Sequence, residues 1–102
     1  MSINIIETQD LTTFPQTGAL STSLLMTDQA QVLFLNVAGG QKVKPCQMSV
    51  TVLYYVVEGQ GLLYVESEQA ELQTGSLVVV PPGTTRSILA TTQMRVLAVQ
   101  LL

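Results

Sequence analysis

Cys46, Met48, Tyr54 and Arg86 are the side chains whose types and spacing could do chemistry in this chain. The absence of any histidine limits what that chemistry is. A cysteine thiolate is a nucleophile, but without imidazole there is no Cys–His pair to generate it. The alternative reading of Cys46 is a small packed hydrophobe. A thiol and a thioether two residues apart offer soft donors for an ion such as Cu(I); otherwise Met48 fills a gap in the core. Arg86 is permanently cationic and does not ligate metals, and its planar fork matches a carboxylate. General-base candidates reduce to Tyr54, Cys46 and Glu58.

The elements that must position these residues read as strands. Short apolar runs rich in Val, Leu and Tyr are bounded by Gly, Pro and Thr, and no helix is predicted. Six strands are expected: Gln31 to Val37, Val50 to Val57, Gly61 to Glu66, Ser76 to Val80, Arg86 to Ala90 and Gln93 to Leu101. Ile3 to Glu7 and Ser21 to Met26 would add edge strands, with a loop over Phe14 to Gly18. Glu58-Gly59-Gln60 reads as a tight hairpin turn, and Pro81-Pro82-Gly83 as a strand stop, because proline cannot donate to a ladder. Period-two alternation places Cys46, Met48, Val52 and Tyr54 on one face and Tyr55 on the other. Tyr64 reads as core, and Lys42 and Lys44 as surface charges. Leu77-Val78-Val79-Val80, Val52 to Val57 and Val96 to Val99 are apolar at nearly every position, so both of their faces should be covered.

Composition narrows the class. At 102 residues the chain is expected to be one domain, with an efficient core. Net charge is −3 and there are four basic residues, Lys42, Lys44, Arg86 and Arg95, too few to track phosphates; no nucleic-acid partner is expected. Glu66, Glu68 and Glu71 read as a solvated hairpin. One cysteine excludes an internal disulfide. No stretch reaches the roughly 20 apolar residues of a membrane-spanning helix, and the N-terminus does not read as a signal peptide, so a cytoplasmic location and no membrane partner are expected.

Two punctuation patterns carry a family resemblance. The first is Gly40, five residues, Cys46-x-Met48, three residues, Val52, six residues, Gly59; the second is Gly75, five residues, Pro81-x-Gly83, two residues, Arg86. Together with the intervening Val57-Glu58-Gly59 and Pro81-Pro82-Gly83-Thr84 turns, this spacing resembles the two motifs of the cupin superfamily. The likeness runs from about Val37 to Leu101. It implies an all-β, cupin-type jelly-roll β-barrel, with the motif-bearing barrel at about 30–102 and N-terminal edge strands at about 1–29. It also implies a homodimer formed through N-terminal or edge strands. In cupins the motifs typically hold a metal with two His and a Glu, then a His. Those positions here read Cys46, Met48, Val52 and Arg86. Val52 has no donor atom and Arg86 repels a cation, so no metal and no cofactor are expected.

In the resemblance, the face bearing Cys46, Met48, Val52 and Tyr54 is the barrel interior, and Arg86 approaches it from the opposing sheet. There Arg86 would favour the Cys46 thiolate, and a carboxylate would satisfy the guanidinium. The alternative is an Arg86 solvated at the barrel mouth. The resulting expectation is a metal-free small-molecule binding or accessory protein for a small anionic ligand, with a pocket lined by Cys46, Met48, Val52, Tyr54 and Arg86. The rival is a metal-independent isomerase, epimerase or lyase acting on a small acid. A third reading is a structural dimerisation module whose barrel is filled by Met48, Val52 and Tyr54.

Overall fold

Alternation along the Val52–Val57 run sets the architecture. Val52, Tyr54 and Val56 are buried while Tyr55 is exposed, so one face of this strand enters a core and the other does not. The computed structural model describes residues 3–102 and contains nine strands among them. They are β1 (Ala19–Met26), β2 (Ala30–Val37), β3 (Lys42–Cys46), β4 (Thr51–Glu58), β5 (Gly61–Val65), β6 (Glu68–Leu72), β7 (Leu77–Val80), β8 (Arg86–Ala90) and β9 (Met94–Leu101). Every pairing is antiparallel. A five-stranded sheet has the order β1-β2-β9-β4-β7, and a four-stranded sheet the order β3-β8-β5-β6. This is the all-β jelly roll expected. No helix of the described residues is long and apolar enough to cross a membrane.

The core lies between the sheets. Val52 and Val56 of β4, Val80 of β7 and Val96 of β9 meet Leu63 of β5, Leu72 of β6 and Ile88 of β8. Each such side chain stabilises the fold by about 1.5–3 kcal/mol relative to exposure, which is the main term holding the layers together.

The six expected strands form within a residue at each end, and the Ser21 to Met26 expectation becomes edge strand β1, two residues longer. Three expectations change and two strands are added. Ile3 to Glu7 forms no strand; a short 3-10 turn follows at Thr8–Asp10. The Glu58-Gly59-Gln60 turn is not a hairpin, because both edges of β4 are taken by β7 and β9, and β5 belongs to the other sheet. It is a corner between layers. Gly59 has φ +105°, and a Cβ there would run into the Gln93 carbonyl. Thr74 Oγ1 accepts from its N–H at 3.1 Å. Tyr64 is half-buried on the outward face of β5, not core. Strands β3 and β6, which the apolar pattern does not reveal, are exposed sheet edges. Pro45 is tolerated on β3 because an edge strand can do without one donor. Glu66 turns the chain from β5 to β6 with φ +53°, and Glu66, Glu68 and Glu71 sit on this exposed hairpin as expected.

Covering of the second face is partial. Asn36 interrupts the apolar run of β2, and its Nδ2 donates to the carbonyls of Leu11 (2.8 Å) and Thr13 (2.9 Å). Arg95 of β9 donates to the carbonyls of Thr8 and Leu11. These bonds strap the N-terminal segment across the outside of the five-stranded sheet, over Phe34, which is fully buried.

Candidate functional site

The two punctuated segments come together. Gly83 N–H donates to the Met48 carbonyl at 2.7 Å, and Gln47 Nε2 donates to the Gly83 carbonyl at 2.6 Å. The loop between β3 and β4 is thereby stitched to the Pro81-Pro82-Gly83 turn. Beside this stitch β8 begins with Arg86, whose backbone pairs with Cys46 of β3 on one side and Val65 of β5 on the other.

The Arg86 side chain points between the sheets and is 3% exposed. Its Nε donates to the Tyr54 hydroxyl at 3.0 Å, and its guanidinium carbon lies 5.8 Å from the Tyr54 ring centroid. Tyr54 comes from β4 of the opposite sheet and is 5% exposed, so this contact bridges the layers. The solvated-mouth alternative for Arg86 does not hold. Nη1 is buried with no hydrogen-bond partner among the described residues. Among the described residues the ion pair formed is Arg95–Glu58, and no carboxylate stands within ion-pair distance of Arg86. A buried charge without a counter-charge is costly, and a buried unpaired donor adds to the cost. Burial pushes the Tyr54 hydroxyl above its ordinary value of 10.0; the Arg86 hydrogen bond and charge pull it back, and Cys46 adds a smaller push upward.

The five predicted lining residues are thus only partly united. Val52, Tyr54 and Arg86 are buried between the sheets, and Met48 packs against that core. Cys46 pairs with Arg86 in register, but its side chain is exposed. Alternation does not carry from Cys46 to Tyr54, because β3 and β4 lie in different sheets and the loop between them resets the phase. Two open grooves exist elsewhere. One, of about 780 Å³, lies between the β1 and β3 edges, against Ala19, Ser21, Leu35, Gln41 and Val43. The other, of about 410 Å³, lies near Gly61, Leu62, Leu72 and Ser76. Neither is lined by the five.

The residues at the four motif positions do not fit a metal. Val52 offers no donor, Arg86 brings a buried positive charge, and Cys46 is exposed to solvent. Asn36 and Arg95, which hold the N-terminal strap, are the polar residues that sequence reasoning missed. The signal was present: a lone amide inside Leu33-Phe34-Leu35-Asn36-Val37 has to find partners.

A family model described as Cupin domain matches residues 34–100. A search of curated proteins returns no match. Among solved structures, an uncharacterised protein with a double-stranded β-helix domain from Klebsiella pneumoniae superposes with a TM-score of 0.90 at 12% identity, covering 98% of this chain and 90% of that one. A cupin superfamily protein from Desulfitobacterium hafniense gives 0.87 at 18% identity, covering 100% and 94%. The salicylate 1,2-dioxygenase of Pseudoaminobacter salicylatoxidans gives 0.78 at 20% identity, covering 84% of this chain and 28% of that one. At these identities the likeness is one of fold.

Proposed function

This chain belongs to the cupin superfamily, and from that premise we propose that it binds a small organic carboxylate at Arg86. The observation that supports this reading is the buried Nη1 without a partner, on a guanidinium with no carboxylate of its own. A ligand carboxylate would supply both the missing acceptor and the missing charge, and each charge-assisted bond would be worth about 1.5–3 kcal/mol. The Tyr54 hydroxyl fixes the orientation of the fork. Exposed Cys46, paired with Arg86, puts solvent one strand away. The Gln47–Val50 loop is the segment that must yield on entry.

A second reading has its own support. Val52 and Tyr54 are core residues and Met48 packs on them, as in a structural module with a filled barrel. The metal-independent enzyme has weaker support: of its candidate bases Glu58 pairs with Arg95 on the outer face, and Tyr54, beside Arg86, has its hydroxyl pushed up by burial and stays protonated at neutral pH. A thermal-shift screen of small carboxylates against wild type and Arg86→Met separates the two readings. Binding predicts that some acids stabilise wild type and that Arg86→Met binds them at least about tenfold more weakly. If no acid raises the wild-type melting temperature, or the variant responds equally, the filled-barrel reading stands instead.

A further inference from the structure

The shell around the Arg86–Tyr54 pair restricts what the pair can receive. Arg86 stands opposite Val65 of β5, and Ile88 follows it on the same face of β8. Tyr54 stands between Val78 of β7 and Ala98 of β9. Met48 and Val50, on the loop before β4, pack against the same core. None of these side chains is charged, and none offers an oxygen or a nitrogen. The other cross-strand neighbour of Arg86, Cys46, is exposed. The ionisable groups that act on the Tyr54 hydroxyl are Arg86 and Cys46. The chain's remaining cations are elsewhere: Lys42 and Lys44 are exposed on β3, and Arg95 pairs with Glu58 on the outer side. One guanidinium and one hydroxyl thus face an otherwise apolar enclosure.

Resting on the reading that Arg86 binds a carboxylate, we propose that the ligand is a small monocarboxylate with an apolar body, and that the site rejects dicarboxylates, α-amino acids and phosphate monoesters. One carboxylate matches the guanidinium and neutralises it. A second carboxylate would be buried against Val65, Ile88 or Val78 with no partner, which is the costly case. An α-ammonium would meet the same walls and be repelled by Arg86 besides. A phosphate monoester is close to doubly charged at neutral pH and leaves the second charge unpaired. An apolar body instead gains from those walls by leaving water. The size follows from the packing. Arg86 and Tyr54 are 3% and 5% exposed, and neither open groove is lined by them. A body of a few carbons is what yielding of the Gln47–Val50 loop would admit, since two hydrogen bonds stitch that loop to Gly83.

Matched acids titrated into the full wild-type chain at neutral pH test it, with the Arg86 Nε–H followed by NMR. Butyrate is compared with succinate, 2-aminobutyrate and butyramide, and benzoate with terephthalate and benzamide. Butyrate or benzoate should shift the Arg86 signal. The doubly charged and zwitterionic partners should bind at least about tenfold more weakly, and the amides should leave the signal unmoved. Arg86→Met should weaken the monocarboxylates at least about tenfold, read from the backbone amides of Met48 and Val50. The comparison of acids is made on wild type, so it survives a variant that does not fold. If no acid of either kind shifts wild type, the carboxylate reading of Arg86 fails and this proposal with it. If succinate, terephthalate or 2-aminobutyrate binds at Arg86 as tightly as its monocarboxylate, the carboxylate reading stands and the single-charge proposal is overturned. Amides that bind as well as the acids overturn both, because the charge is then not what Arg86 recognises.

Discussion

The Arg86 and Arg95 side chains lie against opposite faces of the five-stranded sheet, Arg86 reaching it from β8 of the other sheet, and share one geometry, a guanidinium over an aromatic ring. The distance is 5.8 Å to Tyr54 for Arg86 and 5.2 Å to Phe34 for Arg95. Their hydrogen bonds differ. Arg95 has the Thr8 and Leu11 carbonyls and the Glu58 carboxylate, and it ties the N-terminal segment down. Arg86 has the Tyr54 hydroxyl alone, and each guanidinium keeps one buried donor without a partner among the described residues, Nη1 in Arg86 and Nε in Arg95. A guanidinium held by a carboxylate and two carbonyls of its own chain is a structural fastener. One that is buried and under-partnered weakens the empty fold and is available to something else.

The largest effect expected from this difference is one of sign. Arg95→Met removes two charge-assisted bonds to strap carbonyls, which keep the Leu11 N–H and Asn36 Nδ2 as donors, and should lower unfolding free energy in urea by about 3 kcal/mol. Arg86→Met removes an uncompensated buried charge and keeps much of the apolar stem. Without ligand it should fall within about 1 kcal/mol of wild type or exceed it. Equal losses in the two variants would break the comparison and make Arg86 a fastener too.

The same contrast marks how far the sequence could be read. The inner strands were legible because Val52, Tyr54 and Val56 alternate with more exposed neighbours and because Gly and Pro mark the corners. Edges β3 and β6 were not, since strands exposed to water carry lysines and glutamates that look like loop. Arg86 was legible as a residue out of place at a motif position, and its burial agrees with the inward expectation. Cys46 was misplaced because alternation holds along one strand and fails across a change of sheet. The role of Arg95 depends on carbonyls more than 80 positions away in sequence, which no local pattern encodes.

A smaller effect isolates the Tyr54 end of the inner pair. Burial holds the Tyr54 hydroxyl above 10.0 against the pull of Arg86. The unfolded chain therefore loses this proton first as pH rises. The stability that Tyr54 contributes is complete below pH 10.0 and is lost as pH climbs through the higher native value. The urea midpoint of wild type should fall above pH 10.0, and Tyr54→Phe should fall less. At neutral pH the variant should cost about 1 kcal/mol for the lost hydrogen bond. An identical alkaline fall in both proteins would mean that Tyr54 is not the group titrating.

The smallest effect sharpens the outer side of the comparison. Arg95 has two kinds of partner, the strap carbonyls and Glu58, whose side chain is 62% exposed and 3.4 Å away. Water and salt screen a pair of that kind, and such pairs contribute about 0.2–1 kcal/mol. Glu58→Gln should therefore lower the unfolding free energy by no more than about 0.5 kcal/mol at physiological salt, and by less when salt is raised. Hydrogen exchange at the Asp10 and Leu11 amides, which donate to the Glu7 and Thr8 carbonyls, should be unchanged in Glu58→Gln and faster in Arg95→Met. If Glu58→Gln frees the strap as Arg95→Met does, the carboxylate and not the carbonyls sets the Arg95 side chain in place. The outer arginine would then be held by a counter-charge, the partner that the inner one lacks.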